Sequence, residues 1–412
     1  MNWDDERLQV ARFPRDFLWG SATAAHQVEG SNVASDWWAR EHRPDTDLEE
    51  PSGDAADSYH RWPDDVALVA DAGLQVYRFS IEWARIQPEE GWTSKAQLQH
   101  YRRMIDGCLD RGITPMVTLH HATNPLWFSR RGGWADAGAP ERFARYVETV
   151  RPILENDVEW VCTINEPNMV ATHRDWEAAE MRMVARPDPD PKASELLVHA
   201  HHRAKEVLSG IPGLKVGWTI GTQDFEAVPG AEEVMRAYRY PREDFFTEAA
   251  RGDDFVGVQN YSRNLIGTEG PMPLPDGTET NILGWEYYPQ SLGRAVRHTW
   301  EVTGGTPVFV TEHGFATRDD RRRIDHTAAG LLGLRAAMDD GVDVRGYLYW
   351  SLLDNYEWGS FTPTFGLVDW NRTTFERRPK PSLAWFADVA RTGTVAVDEA
   401  GCGQSRMDRS GA

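Results

Sequence analysis

Eight short runs of apolar, β-prone residues recur along the 412-residue chain, and longer stretches separate them. Two of the separating stretches, 64–72 and 140–154, have the periodicity of amphipathic helices. Near-continuous apolar strands that alternate with helices are typical of a parallel sheet covered by helices. Eight such units predict an α/β fold, a (β/α)8 TIM barrel in one domain. The eight runs are 17–23, 74–80, 113–119, 158–164, 215–220, 254–259, 307–311 and 344–352.

The barrel domain is expected to span residues 13–397, because no Ser/Gly-rich or Pro-rich linker divides that interval. Residues 1–12 then form an N-terminal extension. The composition of residues 398–412 predicts a disordered C-terminal tail.

Composition excludes several classes of protein. The formal net charge is -20, which disfavours nucleic acid as a partner. Cys108, Cys162 and Cys402 are widely spaced and form no CxxC pair, as in a reducing compartment. Neither an apolar signal core nor an 18-residue apolar run occurs, so we expect a cytoplasmic protein without a membrane partner. The oligomeric state is left open.

The 18 tryptophans favour a carbohydrate ligand. Flat aromatic faces beside polar groups suit sugar rings, which have apolar C–H faces and hydroxyl edges. Taken singly, each tryptophan is better explained by packing in the core, and the clustered ones less so.

Polar groups follow the predicted strands at the end where a (β/α)8 barrel carries its active site. The stretch "WVCTINEPNMV" ends strand four with Glu166, and "PVFVTEHGFAT" ends strand seven with Glu312. Any one such residue could belong to the rim, but a ring of them predicts a shared site. The others are Gln27 and Glu29 after strand one, Arg78 in strand two, His120 and His121 ending strand three, Asn260 and Tyr261 ending strand six, Trp350 in strand eight, and Glu357 and Trp358 beyond it.

Two carboxyl groups at one barrel mouth suit cleavage of a glycosidic bond. One protonates the leaving oxygen, and the other attacks or activates water. Metal binding by carboxylates and histidines is the competing chemistry. Against it, His120 and His121 are adjacent, so on a strand their side chains point to opposite sides. We therefore expect no metal and no cofactor.

The chain resembles glycoside hydrolase family 1, the β-glucosidase and β-galactosidase family, over about 13–386. The motifs that carry the resemblance are "FPRDFLWGSATAAHQVEG", "YRFSIEWARIQP", "TINEPN", "DFVGVQNYSR", "VTEHG" and "YWSLLDNYEWGSF", in the order of the family. The resemblance implies that Glu166 is the general acid/base and Glu312 the nucleophile. It implies that Arg78 and Tyr261 support the nucleophile. Positions that hold the glycone, the sugar being transferred, match Gln27, His121, Asn165, Tyr261, Trp350, Glu357 and Trp358.

Three departures from the family pattern bear on specificity. His313 stands where the family usually has asparagine, and Ala122 stands where tryptophan is common. Both are expected near the glycone pocket. The segment 174–191 is charged where the family is Tyr/Gly-rich, and this concerns the leaving-group side.

Three hypotheses follow for the function. The first is a retaining β-glycosidase that hydrolyses terminal, non-phosphorylated β-glycosides of small-molecule or oligosaccharide type. The second is a transglycosidase with the same two glutamates and an acceptor other than water. The third is a catalytically silent carbohydrate-binding barrel. Sequence alone leaves open the aglycone and the preference among glucose, galactose and fucose.

Overall fold

A closed barrel of eight parallel strands forms the centre of the computed structural model, which describes residues 8–155, 157–172, 187–398 and 403–404. Neighbouring strands pair in chain order, and the last pairs with the first. The predicted (β/α)8 fold is confirmed, and each predicted run contains most of one strand. The barrel strands are β1 (Leu18–Ala22), β2 (Val76–Ser80), β3 (Thr114–His121), β4 (Trp160–Asn165), β5 (Lys215–Gly221), β6 (Phe255–Gln259), β7 (Val308–Glu312) and β8 (Val344–Trp350).

Long helices follow the strands and cover the barrel. The predicted helices at 64–72 and 140–154 are confirmed as parts of Ser58–Asp71 and Ala139–Leu154. The other covering helices are Lys95–Leu109, Pro191–Leu208, Glu232–Arg239, Phe245–Ala249, Ser291–Thr303, Asp320–Asp339 and Pro381–Thr392. Shorter helical segments lie in the loops at Ala25–Glu29, Asp36–Glu41, Trp83–Ile86, Leu126–Arg130, Gly133–Ala135, Pro167–Val170 and Tyr240–Asp244. Within the described part of the chain, no helix is both long and apolar enough for a bilayer span.

Small sheets lie outside the barrel. Leu8–Arg12, from the predicted extension, pairs antiparallel with Thr394–Asp398, and Gly403–Gln404 pairs with the latter. Asp398 and residues 403–404 of the predicted tail are thus in strands, and residues 399–402 and 405–412 lie outside the described residues. The bounds of the extension and the tail stay predictions. The remaining strands are Asp224–Ala227, Arg263–Gly267, Gly270–Pro271, Val368–Trp370 and Arg377–Pro379.

Apolar side chains fill the barrel interior at the amino-terminal ends of the strands, and polar groups occupy it at the carboxyl ends. Trp160 lies edge-on to both Phe255 and Phe309, with ring centroids 5.2 and 5.4 Å apart. These residues stand early in their strands, so their rings fill the amino-terminal part of the interior. Because side chains alternate along a strand, inward positions later in the same strands face the carboxyl end. The polar site therefore lies at the carboxyl end of the barrel, next to the apolar rings that fill the amino-terminal end.

Candidate active site

Glu312, the last residue of β7, is held by three donors from two other strands and the loop after β6. Its Oε1 accepts hydrogen bonds from Arg78 Nη1 and from Gln259 Nε2, each at 2.7 Å. Its Oε2 accepts one from the Tyr261 hydroxyl at 2.6 Å. Arg78 is completely buried and Glu312 is only 4% exposed. The predicted grouping of Arg78, Tyr261 and Glu312 is therefore present.

Burial and hydrogen bonding act in opposite directions on this carboxyl group. Burial raises the pKa of Glu312, and the Arg78 guanidinium and the Tyr261 hydroxyl oppose that rise. Burial also raises the pKa of Tyr261 well above its usual value, and the charges of Glu312, Glu166 and Glu357 add to the rise. Tyr261 therefore stays a neutral donor, and it lies within electrostatic reach of all three glutamates.

Asn165, at the end of β4, has its side-chain oxygen occupied by protein donors. Its Oδ1 accepts hydrogen bonds from Arg78, from Gln259 at 2.7 Å and from Thr219 at 2.9 Å. Its Nδ2 is 3.2 Å from His121 Nε2. With the oxygen fixed, the amide NH2 is directed toward the predicted glycone residues.

Glu166 follows Asn165 directly and ends the strand with a change of backbone direction. Its φ is 44°, in the left-handed region, and its backbone N–H donates to the Thr219 carbonyl at 2.7 Å. The Pro167–Val170 segment begins at the next residue, where proline suits a helix start. A Cβ on Gly221 would lie 2.6 Å from Glu166 Oε1, so the carboxyl group packs against the end of β5. Only glycine leaves room for it there.

Gln27 follows the first barrel strand and Glu357 follows the last, and the two side chains are in contact because these strands are paired. Gln27 Nε2 donates to Glu357 Oε2 at 3.2 Å, and Trp350 Nε1 donates to Glu357 Oε1 at 3.2 Å. Gln27 Oε1 is buried and has no hydrogen-bond partner among the described residues, so it remains an acceptor for a ligand hydroxyl. Burial raises the pKa of Glu357 to about 8, and the charge of Glu312 contributes to the rise.

Nearly parallel aromatic rings line one side of the site. The His121 ring lies 5.8 Å from the Trp350 ring and 6.1 Å from the Trp358 ring, with interplanar angles of 21° and 20°. All ten predicted site residues thus belong to one connected arrangement at the carboxyl end of the barrel. Their catalytic and binding roles remain predictions.

The side chains of three other predicted polar residues are bonded outside this arrangement. His120 contacts Asn124 at 2.9 Å, on the opposite side of β3 from His121, as strand alternation predicts. Glu29 pairs with Arg85 at 2.8 Å, and its pKa is raised by burial. Asn260 accepts a hydrogen bond from Ser291 at 2.7 Å.

Three residues that help to form the site were not predicted from the sequence. Gln259 and Thr219 donate to the central carboxylate and amide, and Gly221 makes room for Glu166. Gln259 carries a signal that could have found it: a polar residue at the end of an apolar strand, two positions before Tyr261.

His313, which is expected near the glycone pocket, is directed toward the covering helix Asp320–Asp339. The side chain is fully buried behind Glu312, its Nδ1 lies 2.7 Å from the Tyr347 hydroxyl, and its ring stacks on His326 at 5.0 Å. Alternation along β7 directs neighbouring side chains to opposite sides. Burial lowers the pKa of His313 to about 3.

Ala122 lines a cavity of about 340 Å³ together with Trp37 and Trp134, among other described residues. Trp37 lies edge-on to Trp358, with ring centroids 5.1 Å apart. The cavity is therefore one aromatic ring away from the predicted glycone wall. Most of the segment 174–191 lies outside the described residues.

A pair of glutamates at the mouth of a barrel, one buried under a guanidinium and one half-buried at a strand end, is an arrangement that suits a glycoside hydrolase. The model of glycosyl hydrolase family 1 matches residues 9–223 and 251–394. Beta-glucosidase A of Thermotoga maritima is 30% identical over 93% of this chain and 99% of its own length. The chain belongs to glycosyl hydrolase family 1.

Solved structures agree with this assignment. The beta-glycosidase BGL167 superposes with a TM-score of 0.85 at 44% identity, covering 92% of this chain and 97% of that one. A beta-glucosidase from Thermotoga maritima in complex with deoxynojirimycin has a TM-score of 0.83 at 28% identity, with 93% and 99% covered.

Proposed function

We propose that the protein is a retaining β-glycosidase that hydrolyses terminal, non-phosphorylated β-glycosides, with Glu312 as nucleophile and Glu166 as general acid/base. The observation that carries the proposal is the set of three donors on Glu312. A guanidinium, a phenol hydroxyl and an amide all favour the ionised form of the carboxyl group. A nucleophile needs that form.

The first step is then an attack by a Glu312 oxygen on the anomeric carbon. The bond to the leaving oxygen breaks, and Glu166 transfers its proton to that oxygen. Formation of the ester removes the negative charge of Glu312 from the site. Glu166 therefore stays ionised and can act as the base in the second step. It takes a proton from water while the water attacks the anomeric carbon, and the ester bond to Glu312 breaks and restores the Glu312 carboxylate.

Gln27, Glu357 and the aromatic rings hold the glycone. When ionised, Glu357 accepts hydrogen bonds from sugar hydroxyls, and the free Gln27 Oε1 accepts another. Asn165 Nδ2 is placed to donate to the hydroxyl beside the anomeric carbon, a contact that strengthens in the transition state. A neutral sugar fits these groups. The relatives named above, which are beta-glucosidases and a beta-glycosidase, also support a neutral sugar as the substrate.

Azide rescue tests the two roles separately. Glu166→Ala should still be glycosylated by an aryl β-glucoside with a good leaving group, and azide should attack the glycosyl-enzyme to give the β-glycosyl azide. Glu312→Ala forms no ester, so azide should react directly with the substrate and give the α-glycosyl azide. Glu226→Ala is the control, because that glutamate pairs with Arg263 at 2.9 Å and not with the candidate nucleophile.

Two results would contradict the proposal. A β-azide from Glu312→Ala would mean that the roles are assigned wrongly. An α-anomer as the first sugar released by the wild-type enzyme, observed by proton NMR, would exclude double displacement. Product analysis with an added alcohol acceptor separates hydrolysis from transglycosylation, since both use the same glutamates.

A further inference from the structure

His26 packs against Trp358, the ring that also stacks with His121. The two rings are parallel within 2°, with centroids 5.8 Å apart. Trp358 has a φ of 52°, in the left-handed region that bulky residues rarely adopt. Such a conformation persists only where the surroundings hold it, and the His26 ring contacts the indole together with the His121 and Trp37 rings.

Two hydrogen bonds fix the orientation of the His26 ring. Its Nδ1 lies 3.1 Å from Asn32 Nδ2, and its Nε2 lies 2.9 Å from Glu41 Oε1. An amide nitrogen donates, so Nδ1 accepts and Nε2 carries the hydrogen that is donated to Glu41. The His26 and Glu41 side chains are fully buried.

Glu41 is itself anchored on the loop after β1. Its Oε2 accepts hydrogen bonds from the Ser52 hydroxyl at 2.7 Å and from the Ser52 backbone N–H at 3.1 Å. The Ser52 and His26 bonds lower the pKa of Glu41 against the effect of burial. The carboxylate thus connects residue 52 with the short helix Ala25–Glu29, which also carries Gln27.

From this geometry we propose that His26 is a positioning residue for the glycone site: held by Glu41 and Asn32, it sets the plane of Trp358 and so the fit of the sugar. The inference rests on the proposed function, because it takes Trp358 as a glycone contact. His26 touches no reacting atom, so its effect should fall on sugar affinity more than on the chemical step.

The chain offers a matched control in His201. That histidine is also fully buried, stacks on a tryptophan (Trp218, 4.4 Å, 19°) and pairs with a carboxylate (Asp253, 3.0 Å). It lies on the covering helix Pro191–Leu208, and Thr163 and Asp253 hold its ring. Loss of His201 should lower stability much as loss of His26 does, without affecting the aromatic wall.

The test measures equilibrium binding of 1-deoxynojirimycin by calorimetry, with KM and kcat for an aryl β-glucoside as a second readout. His26→Ala should weaken binding about tenfold and raise KM similarly, while kcat changes about twofold or less. His26→Phe, which restores a flat ring without the hydrogen bonds to Glu41 and Asn32, should recover only part of the affinity. His201→Ala should bind like the wild type.

Each other outcome decides against the proposal. Wild-type affinity in a folded His26→Ala variant would overturn it. An equal loss in His201→Ala would assign the effect to general stability and also overturn it. If the wild-type protein bound no 1-deoxynojirimycin and cleaved no β-glycoside, the proposed function itself would fall, and this inference with it.

Discussion

Removing the Tyr261 hydroxyl tests how the protein keeps Glu312 ionised. The phenol donates to Glu312 Oε2 at 2.6 Å, and its ring packs between Trp285 and Phe365, each with a centroid distance of 5.6 Å. Tyr261→Phe keeps both ring contacts and deletes one donor. A hydrogen bond to a charged group contributes about 1.5–3 kcal/mol. At about 1.36 kcal/mol per pKa unit, the pKa of Glu312 should rise by roughly 1–2 units.

The direction of the effect on activity follows from the form that reacts. Only ionised Glu312 attacks the sugar, and its ionisation sets the acid limb of kcat/KM against pH. Tyr261→Phe should therefore shift that limb upward by about 1–2 pH units. Arg78 and Gln259 remain bonded to Oε1, so the carboxyl group should still ionise within the working range.

The assay is kcat/KM for an aryl β-glucoside from about pH 4 to pH 9, at constant ionic strength. Tyr101→Phe is the matched control, because it deletes a phenol bonded to another buried carboxylate, Glu29, at 3.1 Å. The control should keep the wild-type limb. An unshifted limb in Tyr261→Phe, or an equal shift in the control, would refute the reasoning.

Three further predictions concern the sugar and acid stability. Ala122→Trp should fill part of the cavity beside Trp134. The ratio of kcat/KM between β-glucoside and β-galactoside should then change by an amount worth about 1–3 kcal/mol. An unchanged ratio would mean that other residues form this wall of the glycone pocket. Above pH 8, where Glu357 is ionised and repels a phosphate, the aryl β-glucoside should exceed its 6-phosphate in kcat/KM by on the order of 100-fold, and the preference should be smaller below that pH. Equal turnover above pH 8 would argue against Glu357 as a glycone ligand. Burial holds the pKa of His313 near 3 and that of His326 well below its usual value. The unfolded chain, in which a histidine has a pKa of about 6.5, therefore binds protons that the folded protein does not. The contribution of these histidines to the free energy of unfolding is complete above about pH 6.5 and is lost as the pH falls toward 3. His313→Asn should reduce the loss of unfolding free energy between pH 7 and pH 5, measured in urea, by about 2 kcal/mol; an unchanged loss would contradict this account.

Local sequence pattern determined the barrel and the identity of its two glutamates. Eight apolar runs separated by helical stretches leave few folds open, since strands buried on both faces need helices outside them. In such a fold, Glu166 directly after the fourth strand and Glu312 at the end of the seventh must lie at the same end of the barrel. That conclusion needs only the order of the elements along the chain, which the sequence states directly.

Tertiary structure alone decided which neighbouring side chains enter the site. His313 follows Glu312 by one residue, yet it faces the covering helix and stacks on His326. Gln259 reaches Glu312 from a different strand, and Gly221 makes room for Glu166 from another. These contacts depend on strand register and on the exact turn at each strand end, where a shift of one residue reverses a side chain. Residues far apart in the chain set that register together, so no local stretch of sequence contains it.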